Sequence, residues 1–306
     1  MQRRDDRVLE FWDRSKELST KNKEYRNFVS ELLSLLLKND MQIRDLTTSL
    51  LIKNDKNISA YIVAKEDGIL AGMEEFSFLN KDLKLKFFKK DGDMVNKGNF
   101  LVEINGSAKK ILERERISLN LLQRMSGIAT LTNKLSKELN NRIRIAATRK
   151  TLWGLLDKKA VSIVGGLTHR LNLNDRVVIK DNHLKILNYN IENVLNTIKN
   201  KSNYIEIEVE NKNQALTTAK NIKRIIEKNN NKSTFAIMLD KISPIKIKSI
   251  IKDLKNRNLY NYVLLEASGN INPNNLTKYK DCDIDVVSIG YLTNSPRILN
   301  MSLEIK

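Results

Sequence analysis

The chain has 306 residues, of which 41% are hydrophobic and 29% are charged, a composition typical of a globular protein with a substantial core. It contains no run of 18 or more apolar residues, and its charged N-terminus lacks the apolar core of a signal peptide, so neither a membrane protein nor a secreted protein is expected. The one cysteine, Cys282, excludes an intrachain disulfide and fits a cytoplasmic protein.

The chain is strongly basic, with 54 lysines and arginines against 36 aspartates and glutamates and a formal net charge of +18. Such a charge is compatible with nucleic-acid binding. However, the basic residues are spread along the whole chain, without zinc-finger spacing, an aromatic RNA-binding signature or a separate basic tail. Nucleic-acid binding is therefore not expected as the main role, and the charge is expected to attract small anionic substrates instead.

The N-terminal half reads as a helix, an antiparallel sheet and a second, long helix. Residues 1–24 are polar and predict an extension or a loosely docked helix, and "EYRNFVSELLSLLLKND" predicts an amphipathic helix. Residues 58–108 carry β-rich runs that Asp-Gly pairs interrupt, which predicts a compact antiparallel sheet. The apolar period of "ERISLNLLQRMSGIATLTNKLSKEL" predicts the long helix, in which Gly127 permits either close packing or a break.

Six short apolar runs follow from residue 143, with segments of helical pattern between them. Alternation of this length predicts parallel strands with crossover helices, in either a barrel or an open doubly wound sheet. The segment "AVSIVGG" is a candidate for a seventh, irregular strand. The six runs are "RIRIAATRK", "RVVIKDNH", "YIEIEVE", "FAIMLDK", "YVLLEASG" and "VVSIGYLT".

Polar or small residues end nearly every one of these runs, which favours the barrel. In a barrel of parallel strands, all the carboxyl ends meet at one face, where active sites are built. The residues at these ends are Thr148-Arg149-Lys150, Lys180-Asp181-Asn182, Glu208, Asp240, Glu266-Ala267-Ser268-Gly269 and Gly290.

The chemistry of these residues predicts a site for phosphorylated, multiply anionic substrates. Arginine pairs with carboxylates and phosphates, two carboxylates suit Mg²⁺ or ribose hydroxyls, and glycine turns at strand ends commonly hold phosphates. No cysteine or serine nucleophile with a histidine base stands out, so direct transfer is favoured over covalent catalysis. The positive charges are Arg149, Lys150, His169, Arg170 and Lys180; the carboxylates are Glu208 and Asp240; the backbone donors are at Ser268, Gly269 and Gly290.

At these residues the sequence resembles the quinolinate phosphoribosyltransferase family, the carboxylating nicotinate-nucleotide pyrophosphorylases of NAD synthesis. The resemblance runs from about residue 45 to the C-terminus, with the motifs in the order and spacing of the family. Together they are specific, although each alone is weak. The matching segments are "ERISLNLLQRMSGIATLT", "TRKT..G", "GG..HRLNL.D...IKDNH", "IEIEVE", "IMLD", "LEASG" and "DVVSIGYLT.S".

The resemblance implies an α/β fold with two domains and a dimer. Residues 25–135 would form an N-terminal α+β sandwich domain, on which residues 295–306 could pack back. Residues 136–294 would form a truncated α/β barrel of about seven strands with the active site. In the homodimer, each pocket would borrow residues from its neighbour.

The resemblance also implies a reaction, in which a pyridine dicarboxylate, quinolinate, accepts the phosphoribosyl group of phosphoribosyl pyrophosphate (PRPP) and loses CO₂. Such a transition state needs positioning and electrostatics more than a nucleophile. By motif, Arg116 would come from the neighbouring subunit. The two carboxylates would be bound by Arg149, His169, Arg170 and Lys180, and the phosphates by Lys150, Ser268, Gly269 and Gly290. The ribose hydroxyls and Mg²⁺ would be bound by Glu208 and Asp240.

Several positions depart from the family pattern, although the principal charged residues are present. The departures are Ala147, Trp153, Ser162, Val164, Lys241, Asn270 and Asn294. They fit either sequence drift or a paralogue that acts on another acid, such as the molybdenum-associated relative; Lys180 favours the NAD enzyme. A non-catalytic anion-binding protein is a third reading, which the carboxylates Glu208 and Asp240 disfavour. His183 is either a pocket residue or a helix-start residue.

Overall fold

The structure is a computed structural model that describes residues 3–198, 201–229 and 232–306. The chain forms two compact units. The barrel unit comprises the residues up to Arg14, Leu135–Lys150 and Gly166–Tyr291; the sheet unit comprises Ser15–Lys134, Thr151–Gly165 and Leu292–Lys306.

Helices and strands occur along the whole described part of the chain. The helices are α1 (Arg4–Trp12), α2 (Lys23–Met41), α3 (Leu46–Leu51), α4 (Met73–Leu79), α5 (Ala108–Glu138), α6 (Leu155–Ile163), α7 (Asp181–Ile186), α8 (Ile191–Ile198), α9 (Lys212–Asn229), α10 (Pro244–Asn256) and α11 (Tyr291–Asn294). The strands are β1 (Asn57–Ala64), β2 (Gly68–Ile69), β3 (Lys84–Phe87), β4 (Met94–Val95), β5 (Phe100–Ser107), β6 (Arg144–Ala146), β7 (Val177–Ile179), β8 (Tyr204–Val209), β9 (Thr234–Asp240), β10 (Leu264–Ser268), β11 (Val286–Ser288) and β12 (Met301–Ile305). None of the helices described is both long and apolar enough to cross a membrane.

The sheet unit is built on the predicted antiparallel sheet. Its strand order is β12-β1-β5-β3, so the C-terminal residues join the sheet as an edge strand, with Ala60 opposite Ile305. The long helix α5 is continuous through Gly127. A Cβ atom at Gly127 would lie 2.0 Å from the carbonyl oxygen of Arg297, so this glycine permits close packing and does not break the helix.

The barrel unit contains a parallel sheet in the order β6-β11-β10-β9-β8-β7, and each of the six predicted runs supplies one strand. On the other side of β6, Leu167 forms a parallel bridge with Ala146 and takes the place of a seventh strand. The prediction of a strand at "AVSIVGG" was wrong. Residues up to Ile163 belong to α6, because Leu156, Ala160 and Val161 are buried at helical spacing. This is the expected truncated α/β barrel.

The N-terminal segment is a structural part of the barrel unit, and the prediction of an extension or a loosely docked helix was wrong. Helix α1 buries Val8, Phe11 and Trp12, and the Trp12 side chain is fully buried. They pack in one cluster with Leu264 and Val286, the first residues of β10 and β11, and with Ala146, Leu167 and Ala236. Helix α1 is therefore part of the core of the barrel unit.

Candidate functional site

A cavity of about 520 Å³ opens at the carboxyl ends of the barrel strands. It is lined by Thr148, Arg149, Lys150, His169, Arg170, Val178, Lys180, Glu208, Met238, Asp240, Lys241, Glu266, Ser268, Gly269, Asn270 and Ser288. The convergence predicted from the strand ends is therefore present. Two predicted site residues are not among those that line the cavity, namely Gly290 and Arg116, which is exposed on α5 of the sheet unit.

Arginine and lysine side chains line the cavity. Arg170 is 6% exposed, whereas Arg149 is exposed and Lys180 is half-buried. Burial and, next, the nearby charge of Arg149 lower the pKa of Arg170. The two guanidinium groups repel each other, and an anion with two negative groups would offset this repulsion by pairing with both.

The cavity is also lined by the carboxylates Glu208 and Asp240 at the ends of the paired strands β8 and β9. Burial and, next, the charge of Asp240 raise the pKa of Glu208. Lys241 offsets part of this charge, since its Nζ lies 3.0 Å from Oδ2 of Asp240. Two hard oxygen donors with unbalanced negative charge fit Mg²⁺ or the hydroxyls of a ribose.

The turn after β10 brings main-chain groups close to these carboxylates. Gly269 has a φ angle of +89°, and a Cβ atom there would lie 2.6 Å from Oδ1 of Asp240. Only glycine combines this conformation with this approach. The carbonyl oxygen of Ser268 accepts the N–H of Lys241 at 2.8 Å. The turn is thus held where a phosphate could approach its backbone.

Two carboxylates to which the sequence analysis gave no role lie deeper in the barrel, although Glu266 was among the predicted strand-end residues. Glu206 of β8 and Glu266 of β10 are fully buried, and Oε2 of each lies 3.3 Å from Nε2 of His169. Within the described parts of the chain, they and His169 form the one group of potential ligands whose donor atoms all lie within 4.8 Å of one another. The alternation in "IEIEVE" was the available signal, because it places Glu206 and Glu208 on the same face of the strand.

His183 lies in the first turn of α7 and does not line the cavity. Its Nδ1 accepts the backbone N–H of Lys180 at 2.9 Å, which satisfies an N–H group at the first turn of α7. This is the helix-start alternative of the two that the sequence left open. Two departures from the family pattern, Lys241 and Asn270, line the cavity itself.

The turn that follows Lys150 in the chain is anchored within the sheet unit by Asp157. This buried carboxylate accepts the N–H groups of Leu152 at 2.9 Å and Trp153 at 3.1 Å. It also binds Arg124 through two hydrogen bonds of 2.7 and 2.8 Å. The unusual "TLWG" turn therefore has a defined conformation, although its sequence departs from the family pattern.

Comparison with known proteins identifies the family. Residues 45–126 match the model of the quinolinate phosphoribosyl transferase N-terminal domain, and residues 128–304 match that of the C-terminal domain. A probable nicotinate-nucleotide pyrophosphorylase (carboxylating) of Methanothermobacter thermautotrophicus is 35% identical over 90% of this chain and 98% of its own length.

Solved structures agree with this assignment. A NadC deletion mutant has a TM-score of 0.80 at 29% identity, over 94% of this chain and 97% of its own. The nicotinate-nucleotide pyrophosphorylase of Ehrlichia chaffeensis has a TM-score of 0.76 at 32% identity, over 90% of this chain and 98% of its own. With both domain models matched along nearly the whole chain, the protein belongs to the quinolinate phosphoribosyltransferase family.

Proposed function

We propose that this protein transfers the phosphoribosyl group of PRPP to quinolinate with loss of CO₂, which forms nicotinate mononucleotide and pyrophosphate for NAD biosynthesis. The observation that carries the proposal is that cationic side chains and carboxylates line one cavity. A dicarboxylate and a phosphorylated sugar need these two kinds of surface next to each other.

The cationic side chains would orient the pyridine dicarboxylate. Arg149, Arg170 and Lys180 can pair with its two carboxylates, which places the ring nitrogen towards C1 of the ribose. The nitrogen lone pair forms the bond to C1 as the bond from C1 to the pyrophosphate oxygen breaks. The now cationic ring accepts the electron pair that the departing CO₂ leaves on the adjacent carbon, and this carbon then takes up a proton. Positioning and electrostatic stabilisation are sufficient for such a reaction.

The carboxylates, together with groups at other strand ends, would hold PRPP. Glu208 and Asp240 suit the ribose hydroxyls and a Mg²⁺ ion, while Lys150, Ser268 and Gly269 suit the phosphates. Mg²⁺ bound with PRPP would neutralise the developing charge on pyrophosphate. Gly290 follows β11 but is not among the residues that line the cavity, so its binding to a phosphate stays a prediction.

The oligomeric state and the cellular location also remain predictions of this proposal. A homodimer would supply Arg116 from the neighbouring subunit, consistent with its exposed position on α5. A cytoplasmic location is supported by the single, buried cysteine, Cys282.

The test is an assay with PRPP, Mg²⁺ and quinolinate, in which nicotinate mononucleotide, CO₂ and pyrophosphate are measured. Nicotinate in place of quinolinate distinguishes the decarboxylating reaction from simple transfer. We expect product from quinolinate only. Saturable PRPP binding without product from quinolinate would contradict the proposal and indicate a transferase for another acid.

A substitution of Arg170 tests its proposed role in binding quinolinate. Arg170→Ala should raise the KM for quinolinate at least about tenfold, because a buried, charge-assisted pair with the substrate is lost. Arg297→Ala is the control, since the Arg297 side chain is 87% exposed and outside the cavity. A circular dichroism melt of each variant checks folding, and unchanged kinetics in a folded Arg170 variant would exclude the assignment.

A further inference from the structure

The loop of residues 168–176 carries Arg170 into the cavity and has no regular secondary structure of its own. Strand β7 begins only at Val177, and residues 172–174 are exposed, with Leu173 70% exposed. A loop that buries so little of its middle depends on hydrogen bonds and ion pairs for a defined conformation. Those contacts therefore decide where the guanidinium group of Arg170 lies.

Asp175 closes this loop from within. Its side chain is 3% exposed, and its Oδ2 accepts the backbone N–H of Leu171, the residue after Arg170, at 2.8 Å. In turn, Nη1 of Arg170 donates to the carbonyl oxygen of Arg176, the residue after Asp175, at 3.3 Å. Both contacts join the chain around Arg170 to the chain around Asp175, so a change at Asp175 would alter the position of Arg170.

Arg14, which follows α1, holds the same loop at two points. Its Nη1 donates to Oδ1 of Asp175 at 2.7 Å, and its backbone N–H donates to Oγ1 of Thr168 at 2.9 Å. One of these contacts lies before Arg170 in the chain, and the other lies after it. The Arg14 side chain is 29% exposed, so water and salt screen the ion pair only in part. Arg14 therefore fixes the loop on either side of Arg170.

The carboxylate of Asp175 also balances cations that the fold buries. Nε of Arg176 lies 3.6 Å from Oδ1 of Asp175, and the Arg176 side chain is 3% exposed. Burial lowers the pKa of Arg176, and the charge of Asp175 opposes this effect. Burial likewise lowers the pKa of Arg170, which the charge of Asp175 also opposes. Two buried guanidinium groups so close in the chain need a counter-charge of this kind.

We propose that Asp175 and Arg14 are positioning residues, which fix the loop of residues 168–176 so that Arg170 meets a carboxylate of the substrate. The proposal rests on the proposed function, because it takes Arg170 as a ligand of the dicarboxylate. Arg14 lies outside the two matched family domains, the first of which begins at residue 45. The N-terminal segment thereby acts in substrate binding as well as in stability.

Steady-state kinetics of Asp175→Asn and Arg14→Gln tests the proposal. The KM for quinolinate should rise about tenfold or more in Asp175→Asn and about three- to tenfold in Arg14→Gln, because Arg170 is less well oriented. The KM for PRPP should change less than about twofold in both variants. Arg3→Gln is the matched control on the same segment: Arg3 is 88% exposed in its pair with Asp6, and neither KM should change.

A purely structural role would give a different result. Loss of folded protein, which urea denaturation measures, lowers the apparent kcat and leaves both KM values unchanged. Arg14→Lys keeps a positive charge beside Asp175 and should restore the KM for quinolinate to within about threefold of the wild-type value. The double variant should exceed Asp175→Asn by less than about twofold, because both substitutions remove the same contact. Additive effects, or an equal rise in both KM values, would overturn the proposal.

Failure of the proposal can be told from failure of the proposed function. If the wild-type protein forms no product from quinolinate, the function fails. If it forms product while Arg14→Gln and Asp175→Asn retain the wild-type KM for quinolinate, only the positioning role fails. Where Asp175→Asn does not fold, because Arg176 loses its counter-charge, a wild-type KM in Arg14→Gln alone overturns the proposal.

Discussion

Glu74 and Glu75 are neighbours on α4, yet the protein shifts their pKa values in opposite directions. Burial raises the pKa of Glu75 to about 7, against the hydrogen bond that the Tyr25 hydroxyl donates to it at 2.7 Å. Burial alone would also raise the pKa of Glu74, but hydrogen bonds from Lys159 and Ser19 outweigh it and lower the pKa to about 2. One residue of helical rotation thus separates two environments.

These shifts predict opposite dependences of stability on pH. Because the pKa of Glu75 is about 7 in the folded protein and 4.5 by reference, its stabilisation is present below pH 4.5 and lost as the pH rises to 7. Glu75→Gln removes this titration. The free energy of unfolding of the wild-type protein, relative to the variant, should therefore fall by about 3 kcal/mol between these pH values.

Urea titrations at a series of pH values measure this difference. Glu74→Gln is the matched control of opposite sign: its stabilisation is present above pH 4.5 and lost as the pH falls towards 2. A difference for Glu75→Gln that does not vary with pH would show that the carboxyl group ionises normally.

Asp157 offers a prediction about a buried ion pair. Its side chain is fully buried, it binds Arg124 through both oxygens, and it also accepts two backbone N–H groups. Asp157→Asn leaves Arg124 without its counter-charge and should lower the free energy of unfolding by about 3 kcal/mol. Asp82→Asn is the control, because Asp82 pairs with Arg114 on the surface, where such pairs contribute about 1 kcal/mol or less. Equal effects of the two substitutions in urea denaturation would contradict the prediction.

At the scale of single residues, sequence found the groups at the strand ends and missed those whose role depends on distant partners. Arg149, Lys180, Glu208 and Asp240 follow apolar runs, so strand periodicity alone brings them to one face. Asp157 lies within a helix, and nothing in its neighbourhood indicates that Arg124, 33 residues earlier, would neutralise it.

Helix α1 shows what sequence patterns omit at the scale of elements. The six strand runs were identified because alternating β and α patterns repeat, and repetition reinforces each assignment. By contrast, "RDDRVLEFW" is one short, charged helix. Its Phe11 and Trp12 are buried only because the barrel strands provide a cluster for them, which no local pattern encodes.

The burial of α1 predicts that it contributes strongly to stability. Trp12→Ala should lower the free energy of unfolding by about 3–5 kcal/mol, because it leaves a large cavity in the cluster. Leu9→Ala on the same helix is the control: Leu9 is 39% exposed, and a change within about 0.5 kcal/mol is expected. Chemical denaturation of both variants, followed by circular dichroism, measures the difference; equal stabilities would mean that α1 is only loosely packed.

At the scale of the whole molecule, the family resemblance predicts that Arg116 acts in the cavity of a neighbouring subunit. Arg116 is exposed on α5 and does not line the cavity, although the family resemblance gives it a role in substrate binding. In the symmetric dimer that we propose, each subunit would supply Arg116 to the other's cavity.

Activity of mixed dimers tests this arrangement. Arg116→Ala and Asp240→Asn should each inactivate a homodimer. A heterodimer of the two chains, purified through two different tags after co-expression, concentrates both defects in one cavity and leaves the other intact. It should therefore have about half of the wild-type activity. A heterodimer of Arg149→Ala with Asp240→Asn is the control and should be inactive, because both residues belong to the cavity of their own chain. If the first heterodimer is also inactive, or if no heterodimer can be recovered, Arg116 does not act in the cavity of a partner.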